Sequence, residues 1–101
     1  LFFIPHFTLM SANDENIFIH ATVHDKEMKI SCGPGTQRIK WLGHVAIARY
    51  DEMNYQGWKV LGVPTHLEKV ETGEPLMLGA VIKDVLVDGD RVKIETSIDP
   101  R

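Results

Sequence analysis

Apolar and polar residues alternate in the first half of the chain in a way that predicts two short strands. Over residues 17–23 every odd position is apolar, and after Asp25 and Lys26 the alternation resumes at Met28, Ile30 and Cys32. A period of two places the apolar side chains on one face of a strand. The pattern therefore predicts an antiparallel hairpin with one face toward a core.

The apolar spacing changes to that of a helix over residues 37–53. One stripe contains Ile39, Leu42, Ala46, Tyr50 and Met53. Thr36 is the predicted N-cap, because its hydroxyl can accept a hydrogen bond from a free N–H one turn further on. Gly43 costs the helix about 1 kcal/mol relative to alanine. We expect that this cost is offset, because the absence of a side chain lets the helix approach the sheet closely.

The second half of the chain contains short apolar segments separated by turns. A turn at residues 62–64 leads into a predicted strand at residues 67–71. A compact apolar segment follows at residues 76–87. Residues 88–90 are a strong Asp-Gly turn signal, and renewed alternation predicts a last strand at residues 91–97.

Length and charge narrow the class of protein. The 101 residues, 44% of them hydrophobic, suit one domain with its own core. A formal net charge of -3 provides no basic surface for nucleic acid or an acidic membrane. No apolar run approaches the roughly 20 residues of a membrane helix. We divide the chain into an N-terminal extension, residues 1–15, expected to be flexible, and a folded domain, residues 16–101.

The apolar opening of the extension does not predict a signal peptide. Residues 1–10 lack a basic region before the apolar part, and Pro5 and His6 interrupt it. We interpret this segment as sequence upstream of the folded domain. It is expected either to be disordered or to lie across the domain surface.

Three segments of the second half occur in the same order as in a known superfamily. They are Gly62-Val63-Pro64, Thr72-Gly73-Glu74-Pro75-Leu76, and Ile82-Lys83-Asp84-Val85 leading into Asp88-Gly89-Asp90-Arg91-Val92. In type and order they resemble the Gly-Ile-Pro, Gly-Lys-x-Leu and Leu-x-Asp-Tyr-x-Ile segments of ubiquitin-like β-grasp domains. The resemblance covers about residues 17–98 and implies an α+β fold. One main helix would pack across a mixed sheet of four to five strands. Doublecortin-type and Ras-association domains share this fold, so the subfamily stays open.

Three departures from the superfamily pattern bear on function. The connection from the helix to the next strand is enlarged by the segment around Trp58, which indicates a distinct surface. Conjugated and sulfur-carrier members end in Gly-Gly, whereas this sequence ends Ile98-Asp99-Pro100-Arg101. Conjugation through this terminus is therefore not expected. The alternative interpretation, a modifier or sulfur carrier, requires a Gly-Gly tail beyond residue 101. In the superfamily the usual recognition surface is an apolar patch on the outward faces of the third and last strands. At the matching positions here, Val70 is apolar, but Lys93 and Glu95 are charged. A partner that reads the apolar patch should bind poorly, because charged groups would have to be desolvated.

The sequence gives little support for a catalytic or metal-binding site. Five histidines are present: His6, His20, His24, His44 and His66. A structural zinc site normally uses four clustered ligands with recognisable Cys/His spacing. This chain does not show that spacing. Cys32 with His44 or His66 has no third group to orient a nucleophile. We therefore expect Cys32 to be a small buried hydrophobe, and we assign no catalytic, cofactor-binding or metal-binding residue.

Two surfaces are candidates for binding a protein partner. One lies on the helix at Arg38, Trp41 and His44, since aromatic and arginine side chains are enriched at interfaces. The other lies on the sheet at Val70, Lys93 and Glu95. For Trp41 the role stays open: it is either a partner anchor or a side chain covered by the N-terminal extension or by the loop at Trp58.

The sequence thus predicts a non-enzymatic protein-interaction module of a larger intracellular protein. We expect a monomer in the cytoplasm, with the nucleus as an alternative, and a protein partner without cofactor, nucleic acid or membrane. A small enzyme or ligand-binding protein would instead require a deep pocket.

Overall fold

The computed structural model describes residues 16–100. They form an α+β fold with a five-stranded mixed sheet and one main helix, which confirms the predicted class. The elements are β1 (Phe18–Val23), β2 (Lys26–Ser31), α1 (Ile39–Arg49), α2 (Trp58–Leu61), β3 (Pro64–Lys69), β4 (Pro75–Leu76), α3 (Ile82–Val85) and β5 (Arg91–Thr96). Within residues 16–100 no helix is long and apolar enough to cross a bilayer. The extension predicted at residues 1–15 lies outside the described residues.

The first and last strands form the centre of the sheet. The strand order is β2-β1-β5-β3-β4. β1 and β5 are parallel, with Ala21 opposite Val92 and Val23 opposite Ile94. β2 pairs antiparallel with β1, which confirms the predicted hairpin. β3 pairs antiparallel with both β5 and β4.

The core lies between the sheet and α1. The inward residues of the central strands are at most 2% exposed: Ile19, Ala21, Val23, Val92 and Ile94. The buried residues of α1 are Ile39, Leu42, Gly43, Ala46 and Ile47. Burying one large aliphatic side chain stabilises a fold by about 1.5–3 kcal/mol, so these two sets supply much of the driving force for folding. The predicted stripe is correct as far as Ala46, but Tyr50 is half-buried and Met53 is 87% exposed.

The start of α1 differs from the prediction. The helix begins at Ile39, its N-cap is Arg38 rather than Thr36, and no side chain caps it. Its first two N–H groups donate instead to the carbonyl oxygens of Ala80 and Leu78, at 2.8 and 2.9 Å. The N–H groups at a helix start need partners from outside the helix. Here a segment distant in sequence provides them.

The end of α1 is also earlier than predicted. The helix ends at Arg49. The carboxylate of Asp51 then accepts hydrogen bonds from three backbone N–H groups, those of Met53, Asn54 and Gln56. Such local side-chain bonds favour a turn over a continuing helix. The Nζ of Lys26 donates to the carbonyl oxygen of Tyr50 at 2.9 Å, placing a positive charge at the helix C-terminus, where it is favourable.

The segment before β5 holds the start of α1 in place. The predicted compact apolar segment begins at Leu76, the last residue of β4, and contains the single turn α3. The N–H of Lys83 donates to the carbonyl of Gly35, and that of Ile82 to the carbonyl of Gln37, each at 2.9 Å. Arg38 and Val81 form an isolated antiparallel bridge. The two connecting segments therefore lie side by side at one end of the helix.

The third strand is displaced from its predicted position. β3 spans Pro64–Lys69, whereas the prediction was residues 67–71. Pairing with β5 extends the strand toward the proline, with a register shift between Pro64 and His66. The predicted turn at residues 88–90 and the last strand agree with the structure, in which Gly89 has a φ of 91° and β5 spans Arg91–Thr96.

Gly43 allows α1 to lie unusually close to β3. A β-carbon at this position would be 2.8 and 2.9 Å from Cβ and Cγ of Pro64, and 3.3 Å from Cδ1 of Leu67. Carbon atoms in contact are normally about 3.5–4.0 Å apart. The predicted close approach is confirmed.

The Gly43→Ala variant is expected to lower the free energy of unfolding by up to about 2 kcal/mol. Overpacking costs about 1–3 kcal/mol, and the better helix propensity of alanine returns about 1 kcal/mol. Urea denaturation measures the difference. Gly79→Ala is the matched control, because an added β-carbon there would meet no atom within 4 Å. A Gly43→Ala variant more stable than the parent, as helix propensity alone would give, would contradict the close approach.

Acid should weaken the loop that follows α1. The three backbone N–H groups hold the pKa of Asp51 below its usual range, with burial acting against them and Lys26 adding a smaller lowering. Because the pKa of Asp51 is lower in the folded than in the unfolded protein, its carboxylate stabilises the fold fully above the unfolded pKa, about 3.9. This stabilisation is lost as the pH falls through the folded pKa. We expect Asp51→Asn to melt at a lower temperature than the parent at pH 7. The difference in melting temperature between the variant and the parent should narrow below about pH 4.

Asp99→Asn, at an exposed position, is the control for the loss of one carboxylate. Thermal melts followed by circular dichroism from neutral to acid pH provide the measurement. A gap between Asp51→Asn and the parent that stays constant with pH would contradict this account of the loop.

Candidate binding surface

One face of the sheet packs against α1 and the other faces solvent. Successive side chains of a strand point to opposite faces. Leu67 on β3 and Ile94 on β5 are buried, so their neighbours point outward. We define the β3–β5 outer face by His66, Glu68, Val70, Lys93 and Glu95.

Cross-strand register decides which of these side chains are adjacent. His66 is opposite Glu95, and Glu68 is opposite Lys93. Directly opposed residues have their β-carbons about 4.5–5.5 Å apart. Val70 follows β3 and continues the pairing, since its N–H donates to the carbonyl of Arg91 at 3.0 Å. The structure therefore brings the three predicted sheet residues, Val70, Lys93 and Glu95, onto one face.

An imidazole and two carboxylates converge on this outer face. His66 Nε2 lies 3.1 Å from Glu68 Oε1. One ligand-type atom each of His66, Glu68 and Glu95 lies within 4.8 Å of the others. The His66 and Glu68 side chains are 38% and 30% exposed, so both remain accessible to solvent. Sequence reasoning missed this cluster.

Two of the three predicted helix residues are already engaged within the domain. Arg38 Nη1 donates to the carbonyl of Gly79 at 2.7 Å. Trp41 is partly buried and packs against the hydrophobic core, and its predicted cover, the N-terminal extension, lies outside the described residues. His44 is exposed. Because α1 covers the opposite side of the sheet, these residues do not join the β3–β5 outer face.

An apolar corner surrounds the short helix α2. The N–H of Ile98 donates to the carbonyl of Leu61 and the N–H of Val63 to Ser97 Oγ, each at 3.0 Å, so the chain after β5 lies against α2. Its large apolar side chains are between 50% and 52% exposed: Trp58, Val60, Val63 and Ile98. The Trp58 segment stands out in the sequence as an enlarged connection, but its contact with Ile98 depends on tertiary pairing.

Cys32 has the environment of a structural residue. Its side chain is 3% exposed, and burial raises the pKa of the thiol to about 11. A thiolate is the reactive form of cysteine, and an apolar environment disfavours it. The prediction of a small buried hydrophobe is confirmed.

Residues 16–100 enclose no cavity of ligand size. Neither models of known protein families nor curated protein sequences match this chain. The accessible features of the described residues include the charged β3–β5 outer face and the separate apolar corner at α2.

The native protein should react slowly with thiol reagents. At pH 8 a pKa of about 11, compared with about 8.5 for an unfolded thiol, reduces the thiolate fraction roughly 200-fold. We expect modification by a chromogenic disulfide reagent to be at least this much slower in buffer than in denaturant. The double variant Ser31→Cys/Cys32→Ser moves the thiol to the neighbouring exposed position and should react quickly. Equal rates for the parent and the double variant would contradict this environment of Cys32.

Proposed function

We propose that this chain is a ubiquitin-like β-grasp domain that serves as a non-enzymatic protein-interaction module within a larger intracellular protein. The strand order β2-β1-β5-β3-β4, the parallel central pair and the helix across one face are compatible with that fold. The three segments that resemble the superfamily lie at α2 and β3, at the β3–β4 turn, and from α3 into β5.

The observation that supports the docking role most directly is the β3–β5 outer face. It exposes an apolar side chain, Val70, 41% accessible, beside charges of both signs. Two paired strands hold these side chains at fixed spacing, so a partner meets a preformed surface and little ordering is needed on binding. The candidate residues of the helix are less suited to this role, because Arg38 and Trp41 already make contacts within the domain.

The charges on this face favour a partner with complementary polar groups. Lys93 would face a carboxylate of the partner, and Glu95 would face a lysine or arginine. Such pairs govern association rate and specificity more than affinity, while an apolar contact at Val70 adds buried area. A protein that reads an apolar sheet face would instead leave Lys93 and Glu95 desolvated without partners, which is costly.

Site-specific photocross-linking in cells tests both the role and the surface. A photoreactive amino acid replaces Val70 in one version of the full chain and His44, on the helix side, in another. We expect a discrete cross-linked protein from position 70 and none from position 44. Mass spectrometry identifies the partner, which is then purified for calorimetric titration.

Reversing the charges on the β3–β5 outer face tests the surface by its effect on binding affinity. The Lys93→Glu/Glu95→Lys variant should weaken binding of the purified partner by about 1 kcal/mol or more, roughly fivefold. Lys40→Glu, on exposed α1 surface, is the control and should bind like the parent. Cross-links from position 44 alone, or equal affinity of the reversed variant, would show that the partner does not use the β3–β5 outer face.

A further inference from the structure

We infer that His66, Glu68 and Glu95 bind a zinc ion on the outer face of the sheet. The evidence for this site is independent of the proposed docking role, because it consists of the convergence of three ligand-type side chains. Two of them are alternate residues of β3, and the third is on the adjacent strand directly opposite His66.

The spacing of the three groups fits one ion after a small side-chain movement. Zinc is bound by histidine nitrogen and carboxylate oxygen at about 2.0–2.2 Å, so two ligands of a tetrahedral ion lie roughly 3.4 Å apart. His66 Nε2 and Glu68 Oε1 are already 3.1 Å apart. The largest separation within the cluster is 4.8 Å or less. The Glu95 side chain is exposed, so it has room to close that gap by a change of rotamer.

The strands fix the ligands more firmly than a loop would. Leu67, between His66 and Glu68, is fully buried. Ile94, which precedes Glu95, is 2% exposed and is paired with Leu67. The backbone positions of all three ligands are therefore set by core packing. Nε2 of His66 would be the zinc ligand, because this ring nitrogen faces Glu68, and the ion would replace the hydrogen bond between the two side chains.

The donor set selects the metal. One imidazole with two carboxylates suits zinc, whereas Mg²⁺ and Ca²⁺ prefer oxygen ligands alone. Three protein ligands leave the fourth tetrahedral position to water. The nearby positive charge of Lys93 opposes binding of a cation and limits the affinity, but the two carboxylates outweigh it in formal charge.

Calorimetric titration of zinc chloride into the full chain, in a buffer that does not chelate zinc, tests the site. The parent should bind zinc with a component that is lost or weakened at least about tenfold in both His66→Ala and Glu95→Gln. His44→Ala and Glu71→Gln, at exposed positions outside the cluster, are matched controls and should bind zinc like the parent. Excess magnesium should not displace the ion.

Two-dimensional NMR locates the ion and controls for folding. Zinc should shift the ring nitrogen signals of His66 and the amide signals around residues 66, 68 and 95. All variants should keep the parent's spectrum elsewhere, because the substituted side chains are accessible. Zinc affinity that is the same in His66→Ala as in the parent, or no zinc binding by the parent, would overturn the assignment.

Discussion

The close contact between α1 and β3 determines how the β3–β5 outer face is built. Gly43 lets the helix lie directly against Pro64 and Leu67, and Leu67 is fully buried there. Once Leu67 points to the core, the alternation of a strand points His66 and Glu68 to solvent. The register with β5 then sets Glu95 and Lys93 beside them. The arrangement of charges on the outer face is thus a consequence of packing on the opposite face.

A second constraint keeps the helix in the orientation that this contact needs. The start of α1 has no side-chain cap, and backbone carbonyls at residues 78 and 80 accept its free N–H groups. At the other end, the Asp51 loop and the Lys26 side chain hold the chain as it leaves the helix. Both ends of α1 are therefore attached to parts of the chain that fold against the sheet. Helix position and sheet assembly depend on each other, which is typical of cooperative small domains.

The sequence predicts local features of this fold well and long-range ones poorly. The hairpin, the last strand and the role of Gly43 follow from periodicity and propensity, which act within a few residues. Thr36 was the wrong N-cap because the true partners of the helix start are some 40 residues away, beyond any local signal. For the cluster of His66, Glu68 and Glu95, the sequence indicates only that His66 and Glu68, two residues apart in a strand, share one face. Its third member depends on strand register, which apolar patterning alone does not fix between segments so far apart.

The two proposals for the β3–β5 outer face interact through charge. Without a metal ion, the two carboxylates of Glu68 and Glu95 outweigh the single positive charge of Lys93 on this face. A bound divalent ion would reverse that sign within a few ångströms of Val70 and Lys93. The favourable partner would then change from one that presents cations to one that presents carboxylates, because complementarity sets encounter rate and specificity. Zinc occupancy would therefore select between partners at the same surface, without any change in the fold that supports it.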